Sequence, residues 1–167
     1  SYLAIGVVAI ASIMYLWRRT RIWDVIVLAS AEIGVLFTTI TLISGMLWGK
    51  LEWGTYWTWD ARLTSFLIMW LIYVGYLMLR AAIDDPERRA RLAAIVGIIG
   101  ALDIPIIHFA VLWWRTLHPQ PIVVRPGGPA MSEPMVVALV SGMVAFTLLY
   151  LFLVTFRVSA VVFVPVW

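Results

Sequence analysis

The sequence has no cysteine and only two histidines among its 167 residues. The absence of cysteine excludes disulfide bonds, thiolate metal sites and a thiol nucleophile. Charged residues are scarce as well, since they make up 13% of the chain, and the formal net charge is only +3. Because nucleic-acid surfaces carry clustered positive charge, no nucleic-acid partner is expected.

Apolar residues are abundant, with 63% hydrophobic residues and a mean hydropathy of +0.99. A soluble domain of this length could not bury so much apolar surface, so membrane lipid must be the solvent for most of the chain. Five apolar runs predict an all-α, polytopic membrane helix bundle with five transmembrane helices in a single domain, residues 1–167. The runs are Tyr2–Trp17, Val25–Gly49, Thr64–Leu79, Leu92–Trp114 and Met135–Phe156. The last ten residues, 158–167, are too short to span a membrane, and the sequence leaves open whether they lie in its interface.

The basic residues predict how the helices are oriented. One set of helix ends carries eight arginines, and the other set carries four basic residues. The eight are Arg18, Arg19, Arg21, Arg80, Arg88, Arg89, Arg91 and Arg157, and the four are Lys50, Arg62, Arg115 and Arg125. Since cytoplasmic loops are enriched in basic residues, the first set should be cytoplasmic and the N-terminus external. An external N-terminus without a basic leader would be ordinary if one more helix preceded it.

Tryptophan is frequent, and several of its positions are typical of a membrane interface. Membrane proteins place isolated tryptophans at the level of the lipid headgroups, where no ligand is needed to explain them. We interpret four of the ten tryptophans in this way, namely Trp17, Trp23, Trp48 and Trp70.

A denser aromatic cluster lies between the second and third apolar runs, in the segment WGTYWTWDARLTS at residues 53–65. Trp53 and Trp57 are four residues apart and Trp59 follows two later, so no single face of a helix or strand takes all three. A loop crowded with indoles offers an apolar platform, which suits a large planar ligand better than lipid tails. Asp60 is either part of this site or simply the N-cap of the third helix.

One of the two histidines is expected at the external mouth of the bundle. His118 precedes Pro119, which disfavours helical geometry, so the fourth helix should end there and the imidazole should project outwards. Such an imidazole suits an axial haem ligand, with Trp114 nearby to cover the ring and arginines to bind the propionates bidentately. The candidate arginines are Arg62, Arg115 and Arg125. A solvated loop histidine is the alternative.

The second histidine and two acids fall inside predicted spans. His108 lies ten residues before His118, about 15 Å along a helix, so we expect a buried, hydrogen-bonded residue and not a second ligand. Glu32 and Asp103 should face the bundle interior with a partner, because intramembrane carboxylates are costly. Asp103 is either a proton relay or a hydrogen-bonded structural group, and Pro105 should kink the helix nearby.

Together these motifs resemble the CcmC branch of the tryptophan-rich haem-handling proteins of cytochrome c maturation. The pattern W-G-x-Y-W-x-W-D is the signature of the wider group, and the continuation ARLTS at 61–65 resembles CcmC more than the related CcmF and CcsA types. The stretches DIPIIH at 103–108 and WWRTLH at 113–118 also resemble CcmC. The resemblance covers residues 24–156.

The resemblance implies a function that the residues alone leave open. CcmC proteins are six-helix proteins of the bacterial inner membrane that hold haem b at the external, periplasmic face. They present this haem to the chaperone CcmE, in a complex with CcmD and with the transporter pair CcmA and CcmB. Carried over by position, Trp53, Trp57, Trp59 and Asp60 form the haem platform, and His118 is a metal ligand. The family's other external histidine lies before its second helix, so the resemblance implies a further helix upstream of this chain.

Two other classes of membrane protein stay open. A haem b redox subunit needs histidines that face each other across helices, and only His108 lies near that depth. A polytopic solute or ion transporter would place Glu32 and Asp103 on its pathway. The sequence shows no nucleophile–base pair, metal cluster or phosphate-binding loop, so a haem-transfer component is expected and not an enzyme.

Overall fold

The computed structural model describes residues 1–114 and 131–163, and every regular element within these residues is an α-helix. The helices are α1 Tyr2–Arg18, α2 Arg21–Trp53, α3 Ala61–Ala82, α4 Pro86–Ala101, α5 Asp103–Trp113 and α6 Glu133–Phe163. Because α4 and α5 follow each other almost without interruption, we count them as one membrane unit, meaning one candidate membrane span. Four such units in the described residues are long and apolar enough to span a membrane, namely α2, α3, α4 with α5, and α6, whereas α1 is a shorter apolar helix. The predicted all-α bundle with five membrane helices is confirmed.

Side-chain contacts define two ends of the bundle. At one end, Arg80 near the end of α3 donates hydrogen bonds of 2.6 and 2.9 Å to Asp24 near the start of α2. At the same end, Tyr15 of α1 packs against the first turns of α4. At the opposite end, the rings of Tyr2 in α1 and Phe66 in α3 meet edge to face, 6.1 Å apart. Successive membrane units therefore run in opposite directions.

These two ends are named by their residues. The arginine end comprises residues 18–21 and 80–91, which hold the α1–α2 and α3–α4 connections. The tryptophan end comprises residues 53–62, which hold the α2–α3 connection, together with residues 113–114 at the end of α5. The orientation predicted from the basic residues places the arginine end in the cytoplasm.

Two glycines of α4 set the spacing between this helix and its neighbours. A Cβ atom built at Gly97 would lie 2.9 Å from Cγ1 of Val8 in α1, and one at Gly100 would lie 2.8 Å from Cε2 of Tyr73 in α3. The hydroxyl of Tyr73 also donates a 2.8 Å hydrogen bond to the carbonyl oxygen of Gly97. Small residues allow membrane helices to approach closely, so these glycines bring α1, α3 and α4 into direct contact.

The span formed by α4 and α5 breaks where the sequence predicts a kink. α4 ends at Ala101, and the N–H of Leu102 bonds to the carbonyl of Ile99 at 3.1 Å, which tightens the last turn. Pro105 has no N–H to donate to the carbonyl of Ala101, so the regular ladder cannot continue. Asp103 consequently falls in the first turn of α5, where the helix dipole favours a carboxylate.

α6 packs on the edge of the bundle, mainly against α2. Tyr150 is the only buried residue among the described side chains of α6, and its hydroxyl lies 3.0 Å from that of Ser30. Further along α6, Arg157 donates hydrogen bonds of 2.6 and 2.8 Å to the carboxylate of Glu32. Glu32 therefore has the partner that was expected for an intramembrane acid.

The C-terminal part of α6 is longer than the predicted run, which ends at Phe156. α6 continues through Arg157 to Phe163, so residues 158–163 belong to the same helix. The helix continues because no glycine or proline interrupts residues 143–163. Residues 164–167 lie outside the described part of the chain.

The tryptophans interpreted as interfacial differ in their surroundings. Trp17 is 75% exposed at the arginine end of α1, as a headgroup-level residue should be. Trp23 lies at the same end but packs against two clusters of the core. Trp70 is in the middle of α3, and its Nε1 donates a 2.8 Å hydrogen bond to Oγ1 of Thr39 in α2. The interfacial interpretation of Trp70 is wrong, because its indole N–H finds a partner inside the bundle.

Candidate functional site

The aromatic segment forms a short loop, residues 54–60, that is fixed at both ends by helix caps. α2 ends at Trp53 because Gly54 adopts the left-handed conformation, with φ of 75°, which glycine adopts at little cost. At the other end, the Asp60 carboxylate accepts a 2.8 Å hydrogen bond from the backbone N–H of Leu63. Asp60 is therefore the N-cap of α3 and determines where the loop ends.

Lys50 holds the loop from the last turn of α2, a contribution that the sequence analysis missed. Its Nζ donates a 2.9 Å hydrogen bond to the carbonyl of Gly54 and lies 5.2 Å from the centre of the Tyr56 ring. A lysine near a helix C-terminus commonly binds the last carbonyls, so its position four residues before a capping glycine was a usable signal.

Within the loop, the hydroxyl of Thr55 folds the chain back onto Trp57. It donates a 3.0 Å hydrogen bond to the carbonyl of Trp57 and accepts one of 3.4 Å from its N–H. The half-buried indole of Trp57 meets Trp59 edge to face, with ring centres 5.6 Å apart and an interplanar angle of 79°. Trp59 is 76% exposed. A planar ligand stacked on Trp59 would therefore meet Trp57 nearly at right angles.

Trp53 belongs to a second aromatic pair. Its ring centre lies 5.1 Å from that of Trp48, with an interplanar angle of 80°. A cavity of about 60 Å³ is lined by this pair and by Trp57. Ligand cavities usually measure roughly 300–1,000 Å³, so this one is too small for a large planar ligand. Trp53, Trp57 and Trp59 therefore do not form one flat surface.

Two polar atoms of the loop are buried without a hydrogen-bond partner in the described part of the chain. These atoms are Nε1 of Trp57 and Oγ1 of Thr58. An indole N–H donates and a hydroxyl both donates and accepts, so leaving the two atoms without partners costs free energy.

Arg62 lies in the first turn of α3, directly below the loop. It is half-buried, and it makes no hydrogen bond or ion pair with any residue that the structure describes. The side chain lines a cleft of about 250 Å³ between the start of α1, α2 and α3, together with Tyr2, Thr41 and Phe66. A charge that is partly withdrawn from water and has no counter-ion among the described residues is costly, so this guanidinium is suited to an anionic group in the cleft.

The structure therefore brings five predicted site residues to the tryptophan end, namely Trp53, Trp57, Trp59, Asp60 and Arg62. Trp114 follows α5 at the same end and is 55% exposed. Arg115, His118 and Arg125 lie outside the described residues, and their roles stay predictions.

His108 differs from its predicted surroundings, whereas Asp103 is buried as expected. His108 is exposed, with its ring against Phe109 at 5.2 Å, so the expectation of a buried, hydrogen-bonded histidine is wrong. The buried face of α5 is formed by Asp103, Ile107 and Ala110, and His108 lies one residue beyond that face. Asp103 is only 9% exposed, and its Oδ2 has no partner among the described residues.

Comparisons with known proteins show the relationships of the chain. Residues 1–164 match the model of the CcmC family, described as heme exporter protein C. The chain is 48% identical over 145 residues to heme exporter protein C of Bradyrhizobium diazoefficiens, which covers 87% of this chain and 55% of the relative. It is 40% identical over 152 residues to heme exporter protein C of Haemophilus influenzae, with 91% and 62% covered.

A plant relative shows the same similarity. The chain is 42% identical over 129 residues to the putative cytochrome c biosynthesis ccmC-like mitochondrial protein of Marchantia polymorpha, which covers 77% of this chain and 54% of the relative. The chain therefore spans about half to three fifths of the length of these curated relatives.

Proposed function

Because the chain belongs to the heme exporter protein C family, we propose that it handles haem in cytochrome c maturation. In this proposal, the tryptophan end holds haem b on the external, periplasmic face of the bacterial inner membrane. The haem is cargo, which passes to the chaperone CcmE in a complex with CcmD and with CcmA and CcmB. The protein acts as a transfer component and not as an enzyme.

One observation carries this proposal: the guanidinium of Arg62, which pairs with no residue of the described ranges 1–114 and 131–163, lines a cleft beside a loop with exposed aromatic rings. Haem is a large apolar disc with two carboxylates along one edge. A ligand of that kind needs apolar contact for the disc and a cation for the edge. Trp59 offers the first and Arg62 offers the second, within three residues of each other in the sequence.

The remaining loop residues give this site its shape. Lys50 and Asp60 hold the two ends of the loop, so the aromatic side chains are positioned before any ligand arrives. Trp57 supports the exposed ring of Trp59 through an edge-to-face contact. Preorganisation of this kind lowers the entropic cost of binding.

Iron ligation is proposed for a residue outside the described part of the chain. In this proposal His118, which follows α5 in the sequence, supplies an axial imidazole, and Arg115 and Arg125 are further partners for the propionates. Trp114 connects α5 to this segment.

The geometry gives less support to the two alternative functions. A haem b redox subunit needs histidines that face each other inside the membrane, but His108 points away from the buried face of α5. A transporter that uses Glu32 would need this carboxylate on an open pathway, but Glu32 is held by two hydrogen bonds from Arg157.

A comparison of haem with its dimethyl ester tests the carboxylate contact. The purified protein should bind haem more tightly than the ester, because only haem offers carboxylates to Arg62. Arg62→Gln should weaken haem binding by about tenfold, the usual value of a charged hydrogen bond, and should leave the affinity for the ester unchanged. Binding is measured by titration, followed through the visible absorption of the bound haem.

The matched control removes one arginine at the other end of the bundle. Arg91→Gln should leave both affinities unchanged, since Arg91 is exposed in α4 at the arginine end. If Arg62→Gln weakened the binding of haem and of the ester equally, or changed neither affinity, Arg62 would not bind the carboxylates. The proposal would then lose its main structural support.

A further inference from the structure

Six arginines at the arginine end form no ion pair with any described residue, and we call this group the arginine patch. They are Arg18, Arg19, Arg21, Arg88, Arg89 and Arg91. The other two arginines of this half of the molecule behave differently, because Arg80 and Arg157 each form a bidentate pair with a carboxylate. The patch is therefore a group of cations without protein counter-ions, and not a set of structural ion pairs.

Packing of α1 against α4 brings the two halves of the patch together. Tyr15, in the last turn of α1, is buried with Ala90 and Ala94 of α4 in one cluster. The guanidinium of Arg19 lies 5.9 Å from the ring of Tyr15. The turn that carries residues 18–21 therefore adjoins the first turns of α4, which carry residues 88–91.

Three acids lie beside the patch, and they do not neutralise it. Asp84, Asp85 and Glu87 are all exposed, and none of them forms an ion pair in the described part of the chain. The Asp85 carboxylate is committed to the N-cap of α4, where it accepts a 2.6 Å hydrogen bond from the N–H of Arg88. Six guanidinium groups against three carboxylates leave this surface positive.

The backbone of Arg19 adds a second observation. Arg19 is the only non-glycine residue with positive φ in the described part of the chain, at φ 54°, where it caps α1 through a 2.8 Å bond to the carbonyl of Tyr15. Glycine is the usual residue at such a left-handed cap, because a side chain there is strained. An arginine at this position points to a use for its side chain that outweighs the strain.

We propose that the arginine patch binds the phosphate of an anionic phospholipid. The guanidinium groups lie at helix ends, where lipid phosphates lie, and arginine binds phosphate bidentately. Trp17 is 75% exposed beside the patch, with the guanidinium of Arg18 5.6 Å from its ring. An indole in this position contacts the upper acyl chain while the neighbouring arginines bind the headgroup, so the occupant is a lipid and not a free anion. This proposal does not depend on haem binding.

The test uses the full-length protein purified in a neutral detergent. A detergent micelle has no leaflets, so an effect of the arginines on membrane orientation cannot contribute to the measured lipid binding. Phosphatidylglycerol should be retained in native mass spectra, and should raise the unfolding temperature, more than phosphatidylcholine. Removing one arginine of the patch should lower the affinity for phosphatidylglycerol by about fivefold, judging by the usual value of one basic residue near an anionic surface.

Arg19→Gly is the most informative variant, because it separates folding from lipid binding. Glycine relieves the left-handed strain, so the variant should be at least as stable as the parent protein without lipid, yet lose affinity for phosphatidylglycerol. Arg18→Gln and Arg21→Gln should lose affinity as well. Asp84→Asn removes a neighbouring negative charge and should strengthen the binding of phosphatidylglycerol.

Three results would overturn the proposal. The first is equal retention of phosphatidylglycerol and phosphatidylcholine by the parent protein. The second is that the arginine variants still prefer phosphatidylglycerol to phosphatidylcholine as strongly as the parent protein does. In that case the arginines only orient the chain in the membrane. The third is an equal stabilisation by inorganic phosphate alone, which would show that the acyl chains and Trp17 contribute nothing.

Discussion

At the scale of single residues, the two cations nearest the aromatic loop have different tasks. The ammonium of Lys50 is engaged by the carbonyl of Gly54 and by the ring of Tyr56, so it fixes the loop. The guanidinium of Arg62 makes no such contact with a described residue and lines the neighbouring cleft. One cation therefore positions the site, and the other remains available to a ligand.

The two histidines provide a matched pair for testing iron ligation. His118→Ala should lower the amount of bound haem, or leave a spectrum that added imidazole restores, because an axial ligand is lost. His108→Ala should leave the spectrum unchanged, because His108 is an exposed residue packed against Phe109. The measurement is the visible absorption spectrum of each purified variant, normalised to folded protein. An altered spectrum in His108→Ala with a normal one in His118→Ala would place the iron inside the membrane and favour the redox subunit.

Local signals in the sequence were enough to predict part of this site. The density of tryptophans in residues 53–59 and the capping role of Asp60 depend on neighbouring positions, and both are visible in the sequence. The surroundings of Arg62 depend on which side chains of α1 and α2 line the same cleft, and no local pattern contains that information. The edge-to-face geometry of Trp57 and Trp59 likewise depends on how the loop folds.

At the scale of helices, glycine packing should decide stability. Gly97→Ala should lower the free energy of unfolding by about 1–3 kcal/mol, because the added methyl would press on Val8 and Ser12 at 2.9 and 3.0 Å. Gly75→Ala is the matched control in α3, where an added Cβ meets no atom within 4 Å. The control should be unchanged or more stable by up to about 1 kcal/mol, since alanine favours the helix. Thermal unfolding in detergent measures both, and equal losses would mean that Gly97 does not set the spacing of α1 and α4.

The helices themselves were predictable because each contains an apolar run of membrane length, and the break near Leu102 was predictable from Pro105. The pairs that join the helices were not. Arg80 and Asp24 are 56 positions apart, and Arg157 and Glu32 are 125 apart, so only the assembled bundle shows that they meet. The partner of Glu32 could not be named from the sequence for this reason, although a partner was expected.

At the scale of the whole molecule, the ion pairs do not alter the argument for orientation. Orientation follows the number of basic residues, and acidic residues contribute little to it. Arg80 and Arg157 therefore still count among the eight arginines on the predicted cytoplasmic side, against four basic residues on the other. The tryptophan end is therefore still expected outside the cell membrane.

Single-cysteine labelling checks this orientation cleanly, because the chain contains no cysteine of its own. Glu52→Cys, exposed at the end of α2, should react with an impermeant reagent in intact cells. Glu87→Cys, exposed at the start of α4, should react only after the membrane is opened. The reverse labelling pattern would show that the orientation is opposite to the predicted one, so the tryptophan end would not be external.

The central claim is that the tryptophan loop holds haem, and haem bound per folded protein tests it most directly. The double variant Trp57→Ala/Trp59→Ala should lose most of the bound haem, because each indole should contribute about 1 kcal/mol, or roughly fivefold in affinity, beyond its buried area. Trp17→Ala is the control, since Trp17 is equally exposed but lies at the arginine end. This control should retain the haem content of the parent protein. Equal haem loss in the control and the double variant would mean that the loop is no more than a membrane anchor and does not hold haem.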